Sequence, residues 1–304
     1  MRILLTGATG FVGRHTLAAL SMRGVDVVAV ARAAPGGAHK HVRWISGDLT
    51  SAPDRARVVK EAQATHLLHL GWRAVHGDIA NSPENLDWLQ HSLDLARVFV
   101  AAGGKRIIGC GSCFEYDWSF GVCKEDATPL APATFYGSAK RAYHVALEGF
   151  AKQANFSLAW ARPFFIYGPD EHPNRLVAAV AGALLDGRPA ETSHGRQIRD
   201  YAHIDDVADG LASLAVSEAT GAYNIATGQS YALKDIIGEI AAQIGRPELV
   251  KLGARAAQPF EPPIILGDTG KARAGFAWEA KIDLKQGIAD TIAGMRAARA
   301  KGAA

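Results

Sequence analysis

The chain predicts a doubly wound α/β fold: a parallel sheet with helices on both faces, followed by a smaller mixed region. Three observations carry this. The apolar run Ile3-Leu4-Leu5 leads straight into glycines at positions 7, 10 and 13. The first half then alternates strand-like and helix-like segments, the signature of a parallel sheet. That alternation stops after Tyr167-Gly168-Pro169.

Residues 2–6 read as the first strand, and 13–22 carry the apolar spacing of a helix. Residues 26–30 and 42–46 are the second and third strands, the latter ending at Gly47-Asp48-Leu49. Residues 52–62 are helical, with Pro53 well placed in the first turn. A strand at 66–70, a helix at 86–102, a strand at 106–109, a helix at 135–153 and a strand at 157–160 complete the repetition. Beyond 168, helices are expected at 175–186, 205–217, 233–244 and 283–300, with a short strand at 223–225. Much of 170–200 is polar with little periodicity, and 247–263 is irregular and proline-rich. The expected organisation is a dinucleotide-binding region, 1–168, and a mainly substrate-binding region, 169–304, interleaved with it.

Lysines and arginines number 33 against 30 acids, a balance that gives no footprint for nucleic acid. No apolar run reaches membrane-spanning length; the longest candidate, 176–185, contains Gly182. Arg2 opens a strand and Gly7 and Gly10 interrupt the apolar run, so the start does not read as a signal peptide. Three cysteines, Cys110, Cys113 and Cys123, suggest reduced thiols and a cytoplasmic protein. Cys110-x-x-Cys113 has no second pair to complete a metal site, and no metal is expected.

Gly7, Gly10 and Gly13 place a tight turn before a helix start. Free backbone N–H groups and the helix dipole there suit a dinucleotide pyrophosphate. The spacing is G-x-x-G-x-x-G, one residue longer in the turn than the commonest fingerprint. The residue that would hold the adenosine ribose follows the second strand, where Ala31-Arg32 offers no acid. Arg32 could pair with a 2′-phosphate, so NADP(H) is expected over NAD(H); otherwise it is a surface residue at a strand end. Asp48 could accept from the adenine amine or serve only as a turn residue.

Tyr136 and Lys140 lie four apart at a helix start and share one face. A neighbouring ammonium favours the phenolate, so the pair could exchange a proton with a carbonyl or hydroxyl oxygen. Ser112 follows the fifth strand at the sheet edge where ligands of such folds collect, and can hydrogen-bond the reacting oxygen.

With the glycine turn, these residues resemble the extended short-chain dehydrogenase/reductase family, in its branch of nucleotide-sugar epimerases, dehydratases and reductases. The resemblance extends through His69-Leu70-Gly71, Arg162-Pro163, the segment from Arg199 to Ala208, Tyr223-Asn224-Ile225-Ala226, and Asp268 with Lys271. It implies a Rossmann-type sheet and a homodimer, with the helices at 86–102 and 135–153 pairing across it. It implies Tyr136 as acid/base, Lys140 on the nicotinamide ribose and Ser112 on the substrate oxygen. Thr9, Phe11, Val12, Leu49, Leu70, Gly71 and Pro163 would also touch the cofactor. Arg199, with Arg175, would hold substrate phosphates; the alternative for Arg199 is a structural pair with Asp200 or Asp206. Trp72, Arg73, Cys113, Phe114 and His172 would border the sugar, though Cys113 also reads as packing and His172 as a loop anchor.

The family's 4,6-dehydratases follow the loop serine or threonine with Asp-Glu, and this chain has Cys113-Phe114. The expectation is an NADPH-dependent reductase of the C4 ketone of a nucleoside diphosphate 4-keto-6-deoxyhexose. The alternative is a nucleoside diphosphate sugar 4-epimerase with tightly bound NAD. Further alternatives are a reductase of a non-sugar ketone or a non-catalytic cofactor-binding protein.

Overall fold

The computed structural model describes residues 1–35, 40–73, 77, 79–257 and 261–302. The chain begins β1 (Arg2–Thr6), α1 (Phe11–Met22), β2 (Asp26–Ala31), β3 (Val42–Ser46), α2 (Ala52–Ala62), β4 (His66–His69), α3 (Glu84–Ala101) and β5 (Arg106–Cys110). It continues through β6 (Val122–Cys123), α4 (Phe135–Ala154), β7 (Ser157–Pro163), β8 (Phe165–Tyr167), α5 (Leu176–Leu185), β9 (Ala190–Thr192), β10 (Ile198–Arg199) and β11 (Tyr201–His203). The last third holds α6 (Ile204–Val216), β12 (Gly221–Ile225), β13 (Tyr231–Ala232), α7 (Leu233–Ile244), β14 (Val250–Leu252), β15 (Ile264–Gly267), α8 (Gly270–Phe276) and α9 (Leu284–Gly302).

Seven strands form one parallel sheet ordered β12-β7-β5-β4-β1-β2-β3. Side chains alternate across it, as the two-residue strand period requires. Ile3, Leu5, Val27 and Ala29 pack with α1 and α6, through Leu17, Leu20, Val207 and Leu211. Leu4, Val28, Val30 and Leu67 pack on the other face against α2, α3 and α4, through Val58, Leu95 and Leu147. Both faces are therefore covered, which explains the near-continuous apolar runs of the central strands β1 and β2. The strand order reverses at β1, which lies between β2 and β4. A crevice opens outside the carboxyl ends of strands at such a switch point. In register, Thr6 and His69 face each other there.

The main sheet draws β12 from beyond residue 168, and α6 packs on α1. A second core joins α5, α7 and α9 through Val177, Leu184, Ile236, Ile240, Ile288 and Ile292. Among the described residues no helix is long and apolar enough to cross a membrane.

Several expectations need correction. The short strands β6, β8 to β11 and β13 to β15 were not anticipated, because runs of two to four residues are too brief for alternation to register. Two of them, β9 and β10, occupy the polar stretch, and β14 occupies the proline-rich one, whose residues 258–260 lie outside the described residues. Helix α1 starts at Phe11, ahead of Gly13, because Gly10 already serves as its N-cap. Strand β4 ends at His69 and β7 runs on to Pro163, paired in register with Ile225.

Candidate active site

The glycine turn is built by close approach. Gly7 has φ +69, and a Cβ there would lie 2.8 Å from the backbone of Leu70 and Gly71. A Cβ on Gly13 would come within 1.9 Å of the Gly7 carbonyl oxygen. The Gly10 N–H donates to that same oxygen at 3.0 Å. Helix α1 has no side-chain cap and no acid in its first turn, so its leading N–H groups face the crevice without a competing anion. Behind the turn, the Thr6 hydroxyl oxygen accepts from the Gly71 N–H at 3.1 Å and pairs with His69 Nδ1 at 2.7 Å. His69 Nε2 reaches the Ser92 hydroxyl at 2.9 Å. Burial pushes His69 down to about 3, so this relay is neutral and fixes the ends of β1 and β4 together.

A cleft of about 790 Å3 opens here. It brings together Gly7, Thr9 and Gly10 with Arg32, Asp48 and Leu49, and with Leu70, Gly71, Trp72 and Arg73. An adjoining cavity of about 320 Å3 takes in Phe11, Val12 and Gly13 with Trp72, His172 and Arg175. The turn, the uncapped helix start and the adjoining cavities fit a dinucleotide. Sequence reasoning missed Asp87, Trp88 and His91 of α3, which also line the larger cleft. Their signal was helical spacing: positions 84, 87, 88 and 91 share one face of α3.

Asp48 Oδ1 accepts from both the backbone N–H and the hydroxyl of Thr50, at 3.0 and 2.8 Å. These bonds, helped by the Arg32 charge, hold its carboxyl below the ordinary value. Arg73 pairs with Glu84 at 2.6 Å on the rim of this cleft.

Ser112 lies just beyond β5 and begins a one-turn helix at 113–115. Tyr136 and Lys140 project from the first turns of α4, where the Thr134 hydroxyl accepts from the Gly137 N–H at 3.1 Å. Lys140 Nζ donates to the Cys110 carbonyl at 2.8 Å and lies 5.8 Å from the Tyr136 ring centroid. The Tyr136 ring meets Phe114 edge-on at 5.8 Å and Trp72 at 6.3 Å. The structure thus brings Ser112, Tyr136 and Lys140 to one place beside the cleft.

The electrostatics there depart from the expected direction. Burial pushes the Tyr136 phenol up, with Cys110, Glu115 and Cys113 adding to the rise, while the Ser112 hydroxyl draws it down. Burial pushes Lys140 down to about 8. Desolvation is the largest cause of both shifts.

Of the other expected substrate contacts, Trp72, His172 and Arg175 meet in the smaller cavity and Phe114 meets Tyr136, while Cys113 and Arg199 are buried. Cys113 is 1% exposed and packs among Tyr116, Cys123, Phe164, Ala226 and Ile265. His172 accepts on Nδ1 from the Asn174 N–H at 3.2 Å and lines the smaller cavity. Arg175 is held by Glu171 at 3.0 Å and by the Ile166 carbonyl at 3.1 Å. Arg199 is buried; its Nη2 meets Glu261 at 2.9 Å and its Nη1 donates to the Ile198 carbonyl at 2.9 Å. Asp200 instead accepts from Thr227, Gly228 and Gly267, and Asp206 from the N–H groups of Lys281 and Ile282. Glu261 also borders a separate cavity of about 520 Å3 that carries Asn174, Arg188, Thr192, Ser193 and Arg255. Among the described residues no group of three or more His, Cys, Asp or Glu could hold a metal ion.

A family model described as the NAD dependent epimerase/dehydratase family matches residues 3–226. A dTDP-6-deoxy-L-talose 4-dehydrogenase (NAD(+)) of Aggregatibacter actinomycetemcomitans is 25% identical over 80% of this chain and 90% of its own. A UDP-glucose 4-epimerase of Mycolicibacterium smegmatis is 25% identical over 96% of this chain and 97% of its own. Among solved structures, MoeE5 in complex with UDP-glucuronic acid and NAD superposes with TM-score 0.84 at 28% identity, over 98% of this chain and 100% of that one.

These findings correct the expected preference for NADP(H). The dehydrogenase is named for NAD(+) and MoeE5 holds NAD. The physical reason lies beside Arg32: its charge already acts on the Asp48 carboxylate, an anion that would repel a 2′-phosphate.

Proposed function

The chain belongs to the NAD dependent epimerase/dehydratase family, and from that premise we propose that it is a nucleoside diphosphate sugar 4-epimerase that keeps and recycles bound NAD. The observation that carries this reading is that, among the described residues, Tyr136 is the one proton-moving group at the site, with Ser112 and Lys140 beside it. Elimination of water would need a further acid and base next to the ring. Cys113 lies in the core, Phe114 has no proton to give, and the Glu115 carboxylate is spent on Arg162 and Trp160. Inverting C4 needs a hydroxyl oxidised to a ketone and the ketone reduced from the other face, with proton transfer at one oxygen.

The residues support each part. The uncapped start of α1 and Gly7, Gly10 and Gly13 would hold the pyrophosphate, Asp48 and Leu49 the adenine side, and Lys140 the nicotinamide ribose. Bound NAD would supply the hydride acceptor and donor and, when oxidised, a positive charge that lowers the nearby phenol. Tyr136 Oη takes the proton from the C4 hydroxyl and returns it to the ketone oxygen. Ser112 Oγ donates to the same oxygen and stabilises the developing alkoxide. Trp72 and Phe114 keep water from the phenol. The 520 Å3 cavity is of a size for the nucleoside diphosphate, with Arg188 and Arg255 in its lining to match the phosphates; Arg199 joins them by exchanging Glu261 for phosphate. Leu86, Leu89 and Leu93 line an open hollow on α3, which supports a homodimer through α3 and α4, to be measured by sedimentation.

The test is to assay the purified protein for released NAD and for interconversion of UDP-glucose and UDP-galactose. The expected result is epimer formed without accumulation of NADH. NADH accumulating without epimer would replace this reading with a one-way 4-dehydrogenase.

A further inference from the structure

Glu115 takes no part in the chemistry above, yet its carboxylate has no solvent exposure and pairs with Arg162, itself 1% exposed. The attraction within a buried pair seldom repays its desolvation, so the pair must be sought in what it holds in place. Three donors converge on Glu115. Oε1 accepts from the Ser112 N–H at 3.0 Å and from Trp160 Nε1 at 3.0 Å, and Oε2 accepts from Arg162 Nε at 2.9 Å. The Ser112 hydroxyl oxygen accepts from the Phe114 N–H at 3.3 Å, closing a reciprocal cap on the turn 113–115. The fit is tight: a Cβ on Gly111 would lie 1.9 Å from Glu115 Oε1.

The same turn is keyed to α4. A Cβ on Gly137 would lie 2.2 Å from the Phe114 carbonyl oxygen, so only glycine lets the helix start settle on the turn. The anchor also reaches outward. Arg162 donates to the Tyr116 hydroxyl at 3.2 Å and pairs with His144 Nδ1 at 3.3 Å, and Tyr116 donates to Asn224 at 2.7 Å.

We propose that Glu115, with Arg162 as its counter-ion, is a positioning residue that holds Ser112 and Tyr136 in register at one substrate oxygen. This rests on reading that pair as the reacting groups. A glutamine cannot take its place, because its amide nitrogen would face one of the three donors N–H to N–H. The charge matters as well as the shape. Glu115 is an anion near the Tyr136 phenol, which is also faced by Lys140 of α4, Cys110 of β5 and Cys113 of the turn, with Arg162 of β7 and His144 of α4 behind the carboxylate.

The experiment compares wild type, Glu115→Gln and the double variant Glu115→Gln/Arg162→Gln, all loaded with NAD, by crystallography and by pH-dependent kinetics on a nucleotide sugar. In Glu115→Gln, kcat should fall about 100-fold, as expected for reacting groups misplaced by an ångström, with KM unchanged. Its rising limb of activity with pH should move to lower pH, because an anion beside the phenol is gone. The double variant, which leaves no unpaired charge in the core, should fold and keep both the kcat loss and the displaced turn. A folded variant with wild-type kcat, pH limb and Ser112 position would overturn the proposal. Wild type inactive on every nucleotide sugar, with Ser112 still displaced in the variants, would overturn the assigned function and leave the positioning role standing.

Discussion

The Lys140 ammonium lies 3.9 Å from the centroid of the Trp72 ring, and Trp72 Nε1 donates to Asn85 at 2.9 Å. The indole is thus fixed as both the cover of the lysine and a wall shared by the two cavities. Trp72→Ala should weaken NAD binding about tenfold, or roughly 1.4 kcal/mol. Calorimetric titration checks this; unchanged affinity would mean that the indole contributes nothing to the cradle.

Removing the proton carrier should separate chemistry from binding. Tyr136→Phe should lower kcat about 10^2- to 10^4-fold while NAD content stays at the wild-type level. Ser112→Ala should cost about 10^2-fold. Both are read from epimer formed per enzyme.

Lys140 is held down at about 8, below its unfolded value of 10.5. The unfolded chain therefore binds the extra proton between those values, and stability rises with pH across that window. Lys140→Met should be inactive yet more stable at neutral pH, by at most about 3 kcal/mol. Its advantage should shrink as pH rises from 8 to 10.5 in denaturant melts.

His69 behaves likewise on the acid side. Its folded value of about 3 lies below the unfolded 6.5, so stability is lost as pH falls through that range. The loss is up to about 1.4 kcal/mol per pH unit for this one group. His144, also held near 3, adds a similar slope. His69→Asn should shallow the acid limb of the stability profile and leave the rest to His144.

Gly13→Ala should abolish NAD binding, because the added methyl carbon would lie 1.9 Å from the Gly7 oxygen and neither backbone can withdraw. Retained binding would mean that the turn can re-form around a side chain.

The main sheet was legible because its central strands are short apolar runs and the helices between them show a face. Gly7 to Gly13, and Tyr136 with Lys140, were legible because chain-local spacing puts them together, and Ser112 because it directly follows a strand at the sheet edge. Arg199 marks the limit. Its partner, Glu261, is 62 residues away, and no local pattern ties the two. Nothing local singles out Glu115 as buried, because its partners Arg162 and Trp160 arrive from β7. Arg32 misled because a strand-end arginine looks the same whether it awaits a phosphate or answers Asp48.

Strand β12 bears on how the protein is made. Ser112, Tyr136 and Lys140 have all left the ribosome well before residues 221–225 are synthesised. Until then β7, which carries Trp160 and Arg162, is an open edge able to pair with other chains. The bond from Tyr116 to Asn224 also waits for that last strand. A nascent chain stalled before β12 therefore already holds Ser112, Tyr136 and Lys140, lacks the far end of the brace behind them, and leaves the edge of β7 unpaired.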